Sequence, residues 1–245
     1  MSGHSKWATI KRKKGKTDVA RAKAWNKLIK EITVAAKLGG GDPDANPRLR
    51  ASILKAKGQS LPAKNIESAI NKGTGAGAND NVEEPMYEAY GPAGTAFLVK
   101  CITDNKTRTV ADVRNAFAKN GGNLGEQGSV SWGFKYQGVI LIDAEVYPED
   151  KVMNLVLDAG ADDMTTDEGV HEVSTSPEAF EAVTKALDVA KIEMMSAELT
   201  YVHSTPVKVV GDAAQKLLKL VDKLEDLEDV QDVYHNAELD DSDLD

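Results

Sequence analysis

One cysteine, four histidines and no long apolar run are what this 245-residue chain has least of, and each shortage closes a class of explanation. Cys101 stands alone, inside the apolar run Ala96-Phe97-Leu98-Val99-Lys100-Cys101-Ile102, so no internal disulfide can form. That usage suits a reducing, cytoplasmic setting and predicts a buried small residue, not a reactive thiol. His4, His171, His203 and His235 are not spaced with Cys101 or with one another as metal ligands, so no metal is expected. No stretch approaches the roughly 18 apolar residues of a spanning helix, which argues against a membrane partner. The basic start carries no apolar segment and does not read as a secretory signal.

Nucleotide-binding and catalytic signatures are missing too. Gly15-Lys16-Thr17 looks like the end of a phosphate-binding loop, but Ile10 stands where that loop needs its first glycine, and no strand precedes it. Gly73-Thr74-Gly75 follows a helix pattern and so reads as a linker instead of a dinucleotide fingerprint. No Gly-x-Ser-x-Gly elbow occurs. The expectation is a non-enzyme with neither cofactor nor small-molecule substrate.

What is abundant is charge, and it is divided. Residues 1–80 hold 17 Lys and Arg against 6 Asp and Glu, a net of +11. Residues 81–245 hold 13 against 33, a net of −20. The overall −9 therefore hides a basic module tethered to an acidic body. Basic modules meet phosphate backbones, where counterion release supplies much of the affinity, so the expected partner is nucleic acid.

Residues 17–38 predict a helix with Trp25, Leu28, Ile29, Ile32 and Ala36 on one side and Lys23, Lys27, Lys30 and Lys37 on the other. Gly39-Gly40-Gly41 stops it. Asn46-Pro47 opens a second helix to about Lys57, and a third runs near Pro62–Lys72, giving a three-helix domain with linker over 1–80. Strands and helices alternate thereafter: strand 95–103, helix 107–120, strands 129–136 and 139–143, helix 148–159, strands 162–165 and 170–174, helix 177–190, strand 193–203, helix 211–227 and strand 230–235. Residues 138–204 spell β-α-β-β-α-β, a ferredoxin-like unit inserted in an α/β domain formed by 82–137 and 205–237. An acidic tail, 238–245, ends the chain. The fold class is thus α+β: a helical N-terminal domain followed by two α/β domains.

Three further features have a bland and a sharp reading. Trp132, Phe134 and Tyr136 alternate as one face of a strand would, which favours core packing over base stacking. Gly122-Asn123-Leu124-Gly125 fits a backbone clamp, although a loop after a helix explains the glycines as well. Asp104-Asn105-Lys106-Thr107-Arg108-Thr109 opens a helix and reads as a capping loop before a phosphate site. The predicted nucleic-acid contacts are Lys6, Trp7, Lys11, Arg12, Lys13, Lys14, Lys16, Lys23, Lys27, Lys30, Arg48 and Arg50, with Trp7 stacking or anchoring and the cations on phosphate.

The segments Gly3-His4-Ser5-Lys6-Trp7 and Ala36-Lys37-Leu38-Gly39-Gly40-Gly41-Asp42-Pro43-Asp44-Ala45-Asn46-Pro47-Arg48-Leu49-Arg50 strongly resemble the YebC family. So do Tyr87–Pro92, Asp104–Thr109, Gly121–Gly125 and Asp232-Val233-Tyr234-His235-Asn236. The resemblance implies three domains, no established catalytic residues, and a DNA-binding transcriptional regulator. Its alternative is a ribosome- or rRNA-associated translational activator or elongation factor, like the mitochondrial translational activator of cytochrome oxidase.

Overall fold

The computed structural model describes residues 18–75 and 82–239. Helix α1 (Asp18–Gly39) buries Leu28, Ile32, Ala35 and Ala36, and ends where Gly40 takes a positive φ of 87°. Asn46 caps helix α2 (Pro47–Gly58) by accepting from the Leu49 amide at 3.1 Å. Its own side-chain amide donates to the carbonyls of Ala35 and Gly40, each at 2.8 Å, so one residue ties two helix ends together. Helix α3 (Ala63–Thr74) lies so close to α1 that a Cβ on Gly73 would sit 2.4 Å from the Thr33 carbonyl oxygen. Leu49, Ala56, Leu61, Ile66 and Ala69 complete this helical core.

The first sheet has strands β1 (Met86–Tyr90), β2 (Ala96–Cys101), β3 (Asn123–Leu124) and β9 (Val230–His235) in the order β3-β1-β2-β9, antiparallel throughout. Helices α4 (Lys106–Lys119) and α7 (Asp212–Asp226) supply Val113, Phe117, Leu217, Leu220 and Leu224 to the core that holds Phe97, Val99 and Cys101. The other face of β2 is covered as well, which is why the strand is a nearly unbroken apolar run. There Ala96 and Leu98 meet Val130, Phe134, Tyr201 and Tyr234.

The second sheet has strands β4 (Phe134–Asp143), β5 (Asp163–Asp167), β6 (Val170–Thr175) and β7 (Met194–His203) in the order β5-β6-β4-β7, all antiparallel. With helices α5 (Glu149–Asp158) and α6 (Phe180–Val189) this is the ferredoxin-like arrangement. Its core is Ile140, Ile142, Val152, Val156, Val173, Val183 and Leu187. A parallel pair, β8 (Val207–Val209) with β10 (Ala237–Leu239), closes the chain's return to the first unit.

Several expectations change. Residues 129–136 are not a strand: Ser131–Gly133 form a 3-10 turn, and β4 starts at Phe134 and runs without a break through Gly138. The buried Glu88 carboxylate takes the amides of Gly128, Val130 and Ser131 at 2.6–2.8 Å, so they are lost to any ladder. Gly138 reads as a break but is needed inside the strand, since a Cβ there would lie 2.4 Å from the Phe180 ring. The ferredoxin-like sheet therefore begins ahead of residue 138. Strand β1 was not foreseen, because Glu88 interrupts its apolar pattern. Helix α6 starts at Phe180, not Pro177, and Glu238 and Leu239, expected in an acidic tail, belong to β10.

Candidate nucleic-acid interface

The lysine row of α1 does not face open solvent throughout. Lys23 pairs with Asp226 at 2.6 Å, both side chains about half exposed. Lys30 Nζ donates to Asp229 Oδ1 at 3.1 Å and to the Glu228 carbonyl at 3.0 Å. Lys27 lies between them on the same face and is half-buried. Val34, one turn beyond Lys30, is buried yet belongs to none of the apolar clusters. The acidic residues sit at the end of α7 and in the loop before β9, so the ridge of the basic module docks on the acidic body.

Arg48 makes a second bridge. Its Nε donates to Glu31 at 2.8 Å, and its two terminal nitrogens grip Glu84. The Glu84 bond leads the causes that raise the Arg48 pKa, and the same bond holds the Glu84 carboxyl below the usual carboxylate range. Lys100 of β2 approaches Glu31 at 3.9 Å. Arg50 instead braces its own loop, donating to the carbonyls of Pro43 and Asp44 at 3.1 and 3.3 Å. Lys6, Trp7, Lys11, Arg12, Lys13, Lys14 and Lys16 lie outside the described residues.

Asp229 is the centre that sequence reasoning missed. Only 8% exposed, it accepts from Arg108 at 2.7 Å, Thr109 at 2.9 Å, Thr103 at 3.1 Å and Lys30 at 3.1 Å. Burial works against its charged form, but hydrogen bonds from Arg108, Thr109 and Lys30 outweigh it and hold the carboxyl below the usual range. A cleft of about 180 Å³ beside it is lined by Arg108, Thr109, Asp112, Leu227, Glu228 and Asp229. Arg108 already lies between Asp229 and Asp104, so among the described residues lining the cleft no cation is left for an anion. The segment 104–109 is a capping loop: Asn105 Oδ1 accepts from the Arg108 amide at 3.0 Å, and Lys106 reaches Glu83 at 3.5 Å.

The other motifs resolve structurally. A Cβ on Gly122 would lie 2.5 Å from the Tyr90 carbonyl oxygen, so close packing of β3 on β1 explains the first glycine of Gly122–Gly125. Phe134 and Tyr136 share a face of β4 as expected, but Trp132 lies in the preceding turn and does not join them. Phe134 is in the apolar joint, Tyr136 meets the Tyr201 ring at a tilt of 46° with centroids 4.9 Å apart, and Trp132 is 78% exposed. The Trp132 indole N–H and the Tyr90 hydroxyl both donate to the Ser129 carbonyl, at 3.1 and 3.0 Å. Cys101 is fully buried, and burial pushes its thiol up to about 12.

Among the described residues, a group of exposed lysines lies on α2 and α3. Lys55 and Lys57 end α2, Lys64 begins α3 and Lys72 ends it; all four are exposed and enter no ion pair with a described residue. Among the described residues, no helix is long and apolar enough to cross a membrane, and no group of three His, Cys, Asp or Glu could hold a metal ion.

Comparison with known proteins places the chain. Residues 5–76 match the family model of the TACO1/YebC protein N-terminal domain, and residues 82–237 that of the TACO1/YebC second and third domain. A probable transcriptional regulatory protein of Thiobacillus denitrificans is 53% identical over 244 residues, covering 98% of this chain and 100% of its own. One from Treponema denticola is 52% identical over 239 residues, covering 98% and 97%. The crystal structure of a conserved hypothetical protein from Aquifex aeolicus superposes with a TM-score of 0.81 at 40% identity, covering 93% of this chain and 94% of that one.

Proposed function

We propose that this chain, which belongs to the TACO1/YebC family, is a non-enzymatic regulator of gene expression that binds nucleic acid in the cytoplasm through its basic N-terminal 80 residues. The observation that carries the reading is the division of charge, +11 over residues 1–80 against −20 beyond. Relatives named as transcriptional regulators support a regulatory role. Lys6, Lys11, Arg12, Lys13, Lys14 and Lys16 are the proposed phosphate contacts nearest the start of the chain, with Trp7 stacking or anchoring. Lys23, Lys27, Lys30, Arg48 and Arg50 are proposed to join them, and the exposed Lys55, Lys57, Lys64 and Lys72 widen the surface.

A second reading replaces DNA with ribosomal RNA and transcription with translation. The loop Gly40–Asn46 between α1 and α2 favours it, because a helix-turn-helix reader has a tighter turn before its recognition helix. The deciding experiment is a filter-binding salt series on the full chain with duplex DNA and ribosomal RNA, together with sequencing of the nucleic acids crosslinked to it in cells. Log affinity is expected to fall linearly with log salt, by about 0.9 per phosphate neutralised on duplex DNA. Affinity indifferent to salt overturns the reading.

A further inference from the structure

The cations of α1 that best fit a phosphate backbone already hold carboxylates. Lys23 and Lys30 are engaged by Asp226 and Asp229, with the Glu228 carbonyl as a further acceptor. The same side-chain nitrogens cannot serve a phosphate while these contacts stand. Val34 in the same row is buried as well. Among the described residues, no buried apolar cluster joins the helical layer to either α/β unit. The joint that the described residues show is made of ion pairs, one of them, Lys23 with Asp226, about half exposed. Exposed pairs are weak and are screened as salt rises.

We propose that this contact is an autoinhibitory latch. The lip formed by Asp226, Glu228 and Asp229 occupies the lysine ridge as an internal stand-in for phosphate, and a nucleic acid must displace it before Lys23 and Lys30 can bind. The inference rests on the reading of the N-terminal segment as nucleic-acid binding and adds its regulation. A polyanion suits the exchange: it replaces each carboxylate with a phosphate oxygen and releases its own counterions. Binding then moves the helical layer away from the body. The attraction between a +11 segment and a −20 body keeps the layer closed in its absence.

The test is a reversible clamp on the full chain. Cys101→Ala removes the native thiol, and Lys23→Cys with Asp226→Cys places one thiol on each side of the joint. A short bis-maleimide containing a disulfide links them, and reductant cleaves the linker, so the cleaved protein is the control for the linked one. Labelled duplex DNA and single-stranded RNA of mixed sequence serve as probes at low salt. The latch predicts at least tenfold weaker binding by the linked protein than by the cleaved one, for either probe. It also predicts that Asp226→Asn with Glu228→Gln, in the otherwise natural chain, binds several-fold tighter than the unsubstituted protein. Equal affinity of linked and cleaved forms, with the unsubstituted protein binding normally, overturns the latch and leaves nucleic-acid binding standing. No binding by the unsubstituted protein to either probe overturns both.

Discussion

Two joints hold the three parts of this molecule together, and they are made of opposite materials. Between the two α/β units the contact is apolar and aromatic: Ala96, Leu98 and Val130 are buried under Phe134, Tyr201 and Tyr234, with the Tyr201 and Tyr234 rings 5.2 Å apart. Asn236 fastens its edge, accepting from the Ala96 amide at 2.8 Å and donating to the Thr205 carbonyl at 2.9 Å. Between the helical layer and the body, charged side chains meet: Lys23 with Asp226, Lys30 with Asp229, Arg48 with Glu84 and Lys100 with Glu31. Apolar burial is insensitive to ordinary salt and costs about 25 cal/mol per Å² to undo, whereas an exposed ion pair such as Lys23 with Asp226 contributes about 0–1 kcal/mol and fades as ions are added. The first joint behaves as part of a core. The second can be exchanged for another polyanion.

The largest effect is expected in the aromatic joint. Leu98, 2% exposed, should cost about 2–5 kcal/mol when cut to alanine, lowering the thermal midpoint by the same amount in low and high salt. A loss that varied with salt would erase the contrast between the joints. Asp229→Asn comes next, at about 1–3 kcal/mol, because Lys30, Arg108, Thr103 and Thr109 lose the charge they share. Its sign with pH follows from the lowered carboxyl pKa. The contribution is fully present above the ordinary aspartate value of about 3.9 and is lost as pH falls through the depressed one, so the two proteins should converge in acid. A gap that widened on acidification would show that the carboxylate is not held in its charged form.

Smaller changes sharpen the other side. Lys23→Ala should alter folding stability by under about 0.5 kcal/mol in denaturant titration, since its pair is half exposed. A loss above 2 kcal/mol would make the ionic joint as permanent as the aromatic one. Trp132→Ala should be the mildest, near zero, because the ring stands 78% in solvent. Cooperative loss of structure on that change would mean the ring is packed in a way its exposure denies.

Helical periodicity made the apolar side of α1 legible, and the Asn46-Pro47 start and the β-α-β-β-α-β order of the second unit were equally readable. What pattern could not supply was the partner of a polar face. Lys23, Lys27 and Lys30 were correctly separated from Trp25, Leu28 and Ile32, yet a charged face can pack on another charged face of opposite sign. Two signals pointed there: Val34 lies in the lysine row, and the two segments of the chain carry opposite net charge. Strand β1 and the turn at Ser131–Gly133 escaped for one shared reason. Glu88 is a charge in a buried position, satisfied by amides some 40 residues away, as in its bond to Gly128, and no local pattern records such a bond.

The most direct test measures both joints in one protein. In a Cys101→Ala chain, spin labels at Lys64→Cys and Lys216→Cys span the ionic joint, and labels at Lys119→Cys and Lys185→Cys span the aromatic one; all four positions are exposed. Pulsed electron resonance then gives the distance distribution of each pair at low and high salt. The account predicts that the first distribution broadens toward longer distances as salt rises while the second keeps its width and centre. A first distribution that stayed as narrow as the second, or two that broadened together, would contradict it.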